Sequence, residues 1–246
     1  MSPQIESLKN MFSELFAKLM AFCLEEEFIE YLGESLEIFY NLQPGEEYEF
    51  DPSEEFLFLS WFLLDDGDAN GDGLIDEFLK RHSDELSLEQ MQISKALKDT
   101  HLTLLKVVSV TPEVSMRLKD LFTGEEFEVN EAISEVISED KEKTASCIEN
   151  HVLYTRVLKL GDARFLVGAG IFLDSSITKE ITTFVTDQYK QDCENGQTIS
   201  FKDFLKHNGE LINWWIRAYE KGESLDDLPD GDKEPPTPPE KSPSCN

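Results

Sequence analysis

The chain has 246 residues, of which 40% are apolar, and a formal net charge of −29. That length can bury a sizeable core, and seventeen Phe argue against a chain that stays unfolded. So negative a field argues against nucleic acid and anionic lipid, which require basic groups to displace counterions. It favours cations and basic protein surfaces, or serves solubility alone.

The acid excess is steepest at the start, where residues 1–60 hold 14 acids and 2 bases. Cys23, Cys147, Cys193 and Cys245 are far apart, with no CxxC pair, so zinc-ligand and redox spacings are absent. No basic-then-apolar leader and no apolar run of spanning length is present. The expectation is a soluble protein of a reducing cytoplasm.

Ser2-Pro3 is a good helix start, and Ile5, Leu8, Phe12, Leu15, Leu19 and Phe22 recur at helical spacing. The stripe predicts one helix to about residue 32, broken at Gly33, then a short helix over residues 35–42. Gln43-Pro44-Gly45 is a turn. Asp51-Pro52-Ser53-Glu54 is a capping-box start. The ten residues after it are almost all aromatic or aliphatic, which makes that helix central to its domain.

An acidic Gly-rich loop occupies residues 65–73. Residues 75–81 read as helix, and Ser87-Leu88-Glu89-Gln90 caps another that runs to about residue 100. The period then changes. Residues 102–110, 114–119, 126–129, 152–160 and 165–173 read as short strands, with Gly168 and Gly170 marking a bend or close backbone approach. Helix returns over residues 178–193 and in a last helix from Ser200 that carries Trp214 and Trp215.

The expected fold is therefore α+β. A helical domain spans residues 1–100 and a small antiparallel β barrel or curled sheet spans 101–175. Helices over 176–222 pack back on it, and a disordered Pro-rich tail covers 223–246.

The sharpest local motif is a partial calcium loop. Asp68, Asn70 and Asp72 fall at positions 1, 3 and 5, and Gly73 at the turn. Leu74 would offer its carbonyl at 7, and Asp76 stands at 9. Position 12, where a bidentate acid belongs, is Leu79. The alternatives are a calcium site and a plain loop between helices, since turns favour Asp, Asn and Gly.

The four histidines, His82, His101, His151 and His207, form no HExxH, and no GxSxG elbow or phosphate-binding loop occurs. Runs such as Glu25-Glu26-Glu27 read as solvated faces. Composition alone leaves a two-carboxylate hydrolase open, but the expectation is a non-enzyme without a cofactor, calcium aside.

Trp61-Phe62-Leu63-Leu64 with Phe78-Leu79-Lys80-Arg81-His82 resembles the paired helices of an uncharacterised bacterial family associated with the SEC-C metal motif. Residues 118–129, LKDLFTGEEFEV, resemble that family's β-domain signature, and residues 152–173 its closing strands. The resemblance covers roughly residues 52–174. It implies a helical hairpin leading into a small β domain and says little about activity. The family's zinc-binding tail is missing, because residues 223–246 hold only Cys245.

Three functions follow as expectations. The first is an interaction or adaptor protein that binds a protein partner through the β module or the acidic helical face. The second is a calcium-binding protein. The third is an acidic mimic that occupies nucleic-acid-binding surfaces of basic proteins.

Overall fold

The structure is a computed structural model and describes residues 3–43, 45–46, 52–67, 73–111, 115–129, 149, 151–168 and 170–222. The expected caps at Ser2 and Asp51, and the expected tail, lie outside the described residues.

Helix α1 (Pro3–Cys23) is shorter than the apolar stripe suggests. A 3-10 turn over Glu26–Phe28 follows, then α2 (Ile29–Phe39). Phe22 and Phe28, six residues apart, would point about 120° apart around a straight helix. The turn folds both into the core with ring centroids 5.0 Å apart. Gly33 ends nothing. It sits on the exposed face of α2 with open space around its Cβ position.

Helix α3 (Pro52–Leu64) is buried from Leu57 to Leu64, as an all-round apolar helix must be. Helices α4 (Leu74–His82) and α5 (Leu88–Lys98) follow. At the start of α5 the expected capping box closes: Gln90 N donates to Ser87 Oγ, and Ser87 N to Gln90 Oε1, both at 3.1 Å.

Six antiparallel strands make one curled sheet: β1 (Leu102–Thr111), β2 (Ser115–Asp120), β3 (Glu126–Val129), β4 (Val152–Leu160), β5 (Ala163–Leu166) and β6 (Ile171–Leu173). The order is β3-β2-β1-β4-β5, with β6 also on β4. Residues 165–173, expected as one strand, bend between β5 and β6. At the bend Gly168 has φ +76°, and the Phe56 ring lies where a Cβ would stand.

Alternation sorts the strands. Leu102, Leu104, Val152, Tyr154 and Leu158 face the helices, while Leu105, Val107, Leu118 and Leu153 build a smaller core on the other face.

Helices α6 (Thr178–Glu194), α7 (Phe201–His207) and α8 (Glu210–Lys221) complete the fold. The last helix expected from Ser200 is thus two. Asn208 Nδ2 donates to Phe204 O at 3.0 Å and closes α7, and α8 restarts with Trp214 and Trp215 turned inward. One apolar core runs through residues from all three expected segments, 1–100, 101–175 and 176–222. Among the described residues no helix is long and apolar enough to cross a membrane.

Candidate functional site

The end of α3 meets the sheet at a buried ionic junction. Arg156 stands on β4 at an inward position of the same alternation as Val152, Tyr154 and Leu158. An arginine taken out of water requires a matched acid. It receives one in Asp65: Nη1 donates to Oδ1 at 3.1 Å and Nη2 to Oδ2, and both side chains are 0% exposed. Nη1 also donates to Thr100 Oγ1 at 3.1 Å. Lys206 of α7 closes the cluster, donating through Nζ to Asp65 Oδ1 at 2.9 Å, Leu64 O at 3.0 Å and Thr100 O at 3.2 Å.

Three further groups with displaced titration lie around this junction. Burial lifts the Asp66 carboxyl to about 6, and the Ser35 and Tyr31 hydroxyls offset part of the rise. Burial lifts Glu210, at the start of α8, to about 8, with Asp66 and Asp65 adding to the rise. Burial, aided by Arg156, lowers the His101 imidazole to about 4, so it is neutral at neutral pH. Displaced carboxyls beside a neutral imidazole are the chemistry of acid–base sites. Here Asp66 and Glu210 are buried, His101 is half-buried, and the charge of Asp65 is compensated by Arg156 and Lys206. The arrangement joins α3, α5, β4, α7 and α8.

Sequence reasoning missed this cluster. The available signal was the register of Arg156, a base at a core-facing strand position that demanded an acid elsewhere.

The candidate calcium ligands divide. Asp68, Asn70 and Asp72 lie outside the described residues. Gly67 and Gly73 pair across the mouth of the loop. Leu74 and Ile75 begin α4 as buried core residues. Asp76 is already engaged. Its Oδ2 accepts from Gly73 N at 3.4 Å, capping the helix, and its Oδ1 pairs with Lys98 of α5. Leu79, at the position that would need a carboxylate, packs against the core. Among the described residues no group of three or more His, Cys, Asp or Glu is arranged to hold a metal ion.

The histidines are dispersed. His82 packs edge-on against Phe22 and pairs with Glu85, while His207 Nδ1 lies 2.7 Å from Asp203 O within α7.

The stretch over residues 118–129 is the β2–β3 hairpin, and its turn is held by Asp120. Oδ1 accepts from Phe122 N at 2.9 Å and Thr123 N at 2.8 Å, and Oδ2 accepts from Thr103 Oγ1 at 2.9 Å. Gly124, at φ +74°, donates back to Asp120 O at 2.9 Å. These roles are structural. Residues 4–209 match DUF7986, a family of unknown function. The chain belongs to this family. No curated protein and no solved structure matches it.

In this DUF7986 chain the most distinctive surface is the corner between α1 and α2. Glu25, Glu26, Glu27, Glu30, Glu34 and Glu37 are all exposed, and residues 24–39 contain no base. Glu27 has a tertiary partner. Both its carboxylate oxygens accept from Arg81 of α4, and this pairing holds Glu27 below the usual carboxylate range. The Arg81 guanidinium also lies 5.5 Å from the centroids of the Phe22 and Phe28 rings. Arg81 thus fastens the corner to α4 and fixes the outward face of the remaining glutamates.

Proposed function

We propose that this DUF7986 chain is a non-enzymatic protein-binding module of the cytoplasm that engages a basic partner through its acidic helical corner. The observation that carries the reading is the contrast between two treatments of charge. In the core, Asp65 has two cations as partners. On α2, Glu30, Glu34 and Glu37 are exposed together without a base in the helix. A rigid single-sign surface of this kind raises the encounter rate with an oppositely charged partner and rejects like-charged ones.

The likeness to SEC-C-associated proteins belongs to the same proposal, resting on the Trp61 and Phe78 helices and the Asp120 hairpin. It supports a bacterial origin, and residues 223–246 offer only Cys245 as a Cys or His zinc ligand.

Capture from the native cytoplasm tests the reading. The intact chain and a chain ending at residue 222 should retain the same saturable partner. A variant with Glu25, Glu26, Glu30, Glu34 and Glu37 all changed to Gln should lose it. Retention by the Gln variant, or no saturable partner at all, would overturn the proposal.

A further inference from the structure

The acidic corner has an apolar component. Leu24, just beyond α1, is 49% exposed, and Ile29, the first residue of α2, is 51% exposed. They bracket the 3-10 turn that Arg81 holds in place. Most large apolar side chains of α1 and α2 are buried or packed against the core, so these two stand out, and Glu25, Glu26 and Glu30 surround them in sequence.

Along α2 the acids form a row. Glu30, Glu34 and Glu37 are spaced four and three residues apart, on the face opposite Tyr31, Ser35 and Phe39. Such neighbours lie roughly 5–6 Å apart on a helix surface, and like charges there destabilise it. Glu37 also stands in the last turn, where the helix dipole disfavours an anion. The row is locally unfavourable in the free chain, and a cationic partner would relieve it.

We infer that the Leu24–Ile29 corner and the Glu30, Glu34, Glu37 row form one docking surface for a basic amphipathic helix. The helix would lie along α2 and seat apolar side chains on Leu24 and Ile29. This inference rests on the protein-binding reading above and supplies its partner chemistry.

Helical spacing of the carboxylates matches Lys or Arg recurring every three to four residues on a second helix, and a partner laid alongside meets them in register. The apolar pair provides desolvated anchoring at one end, which charge alone does not give. A second copy of this chain does not fit, because its own corner would set acids against acids within a net charge of −29 per chain.

The test uses three synthetic peptides on the full chain, followed by titration calorimetry. The first is an amphipathic helix of Leu and Lys with Lys at i, i+4 and i+7. The second is a scrambled peptide of the same composition. The third is a helix with Ala in place of Leu. The intact chain should bind the first at least about ten-fold more tightly than either control.

Leu24→Ser with Ile29→Ser should remove the preference for Leu over Ala and leave the salt dependence unchanged. Glu30→Gln, Glu34→Gln and Glu37→Gln together should weaken binding about ten-fold and flatten the salt dependence. The same triple variant should melt no lower than the parent, which keeps loss of binding separate from loss of fold.

Equal binding of all three peptides, or binding untouched by both variants, overturns the docking surface while leaving a general acidic interaction standing. No binding of any basic peptide overturns both readings.

Discussion

Arg156 on β4 and Asp65 at the end of α3 are 91 residues apart in sequence, yet they meet through paired guanidinium–carboxylate hydrogen bonds with neither side chain exposed. The pair joins the sheet to the end of the central helix. Lys206 brings α7 to the same carboxylate.

Removing one partner of this pair should therefore be far worse than removing both. Asp65→Asn leaves Arg156 uncompensated in the core and is expected to cost about 3–5 kcal/mol in urea unfolding. Asp65→Leu combined with Arg156→Met should be much milder than either change alone, with Lys206 free to hydrate from its partly exposed position. Additive losses across that double-mutant cycle would show that the two residues do not act as a pair.

The junction also sets a pH dependence. Glu210 has its folded pKa raised to about 8, above its ordinary value, so between roughly pH 4.5 and 8 the folded state holds a proton that the unfolded state has released. Stability from this group falls as pH rises through that window, and Asp66, raised to about 6, contributes the same sign up to about pH 6. His101 has the opposite sign. Its folded value near 4 lies below the ordinary one, so it raises stability between about pH 4 and 6.5. The contributions oppose each other in acid and leave Glu210 dominant from about pH 6.5 to 8. The unfolding free energy should fall over that interval by at most about 2 kcal/mol, and Glu210→Gln should flatten the decline.

At Gly168 the positive φ and the adjacent Phe56 ring both exclude a side chain. A Cβ there would lie 1.9 Å from Phe56 Cδ1. Gly168→Ala should destabilise by about 2 kcal/mol or more. Adding Phe56→Ala should recover the steric part and leave the backbone part. A neutral Gly168→Ala in thermal melts would mean that the bend between β5 and β6 does not need this close approach.

Asp76 caps α4 and pairs with Lys98, so calcium would have to displace Lys98 to use it. Asp76→Ala is expected to cost about 1 kcal/mol through the lost cap. Millimolar calcium should leave the melting temperature of the parent chain unchanged. A calcium-induced rise that disappears in Asp76→Ala would restore the calcium reading.

Features governed by local chemistry were legible in the sequence. Ser87 and Gln90 announced their capping box, the apolar run of α3 announced a central helix, and strand alternation marked the sheet. Gly168 announced the bend that divides β5 from β6. What escaped depends on contacts distant in sequence or in space. The break between α1 and α2 exists because Phe28 folds onto Phe22 beside Arg81, and no turn residue at positions 24–28 signals it. Asp65 and Asp66 looked like the start of an acidic loop, whereas they are core residues matched to Arg156 and placed beside Glu210. Asp76 fitted a ligand pattern by spacing, but its partner Lys98 ends the next helix, 22 residues further along the chain.

The account rests on negative surface charge as the working part of the molecule. Affinity for the captured partner, measured from about 0.05 to 0.5 M salt, tests this most directly. The expected result is a loss of at least about ten-fold across that range for the parent chain, and a weaker, nearly salt-independent affinity for the variant lacking the five glutamates of the corner. An affinity indifferent to both salt and those glutamates would contradict it.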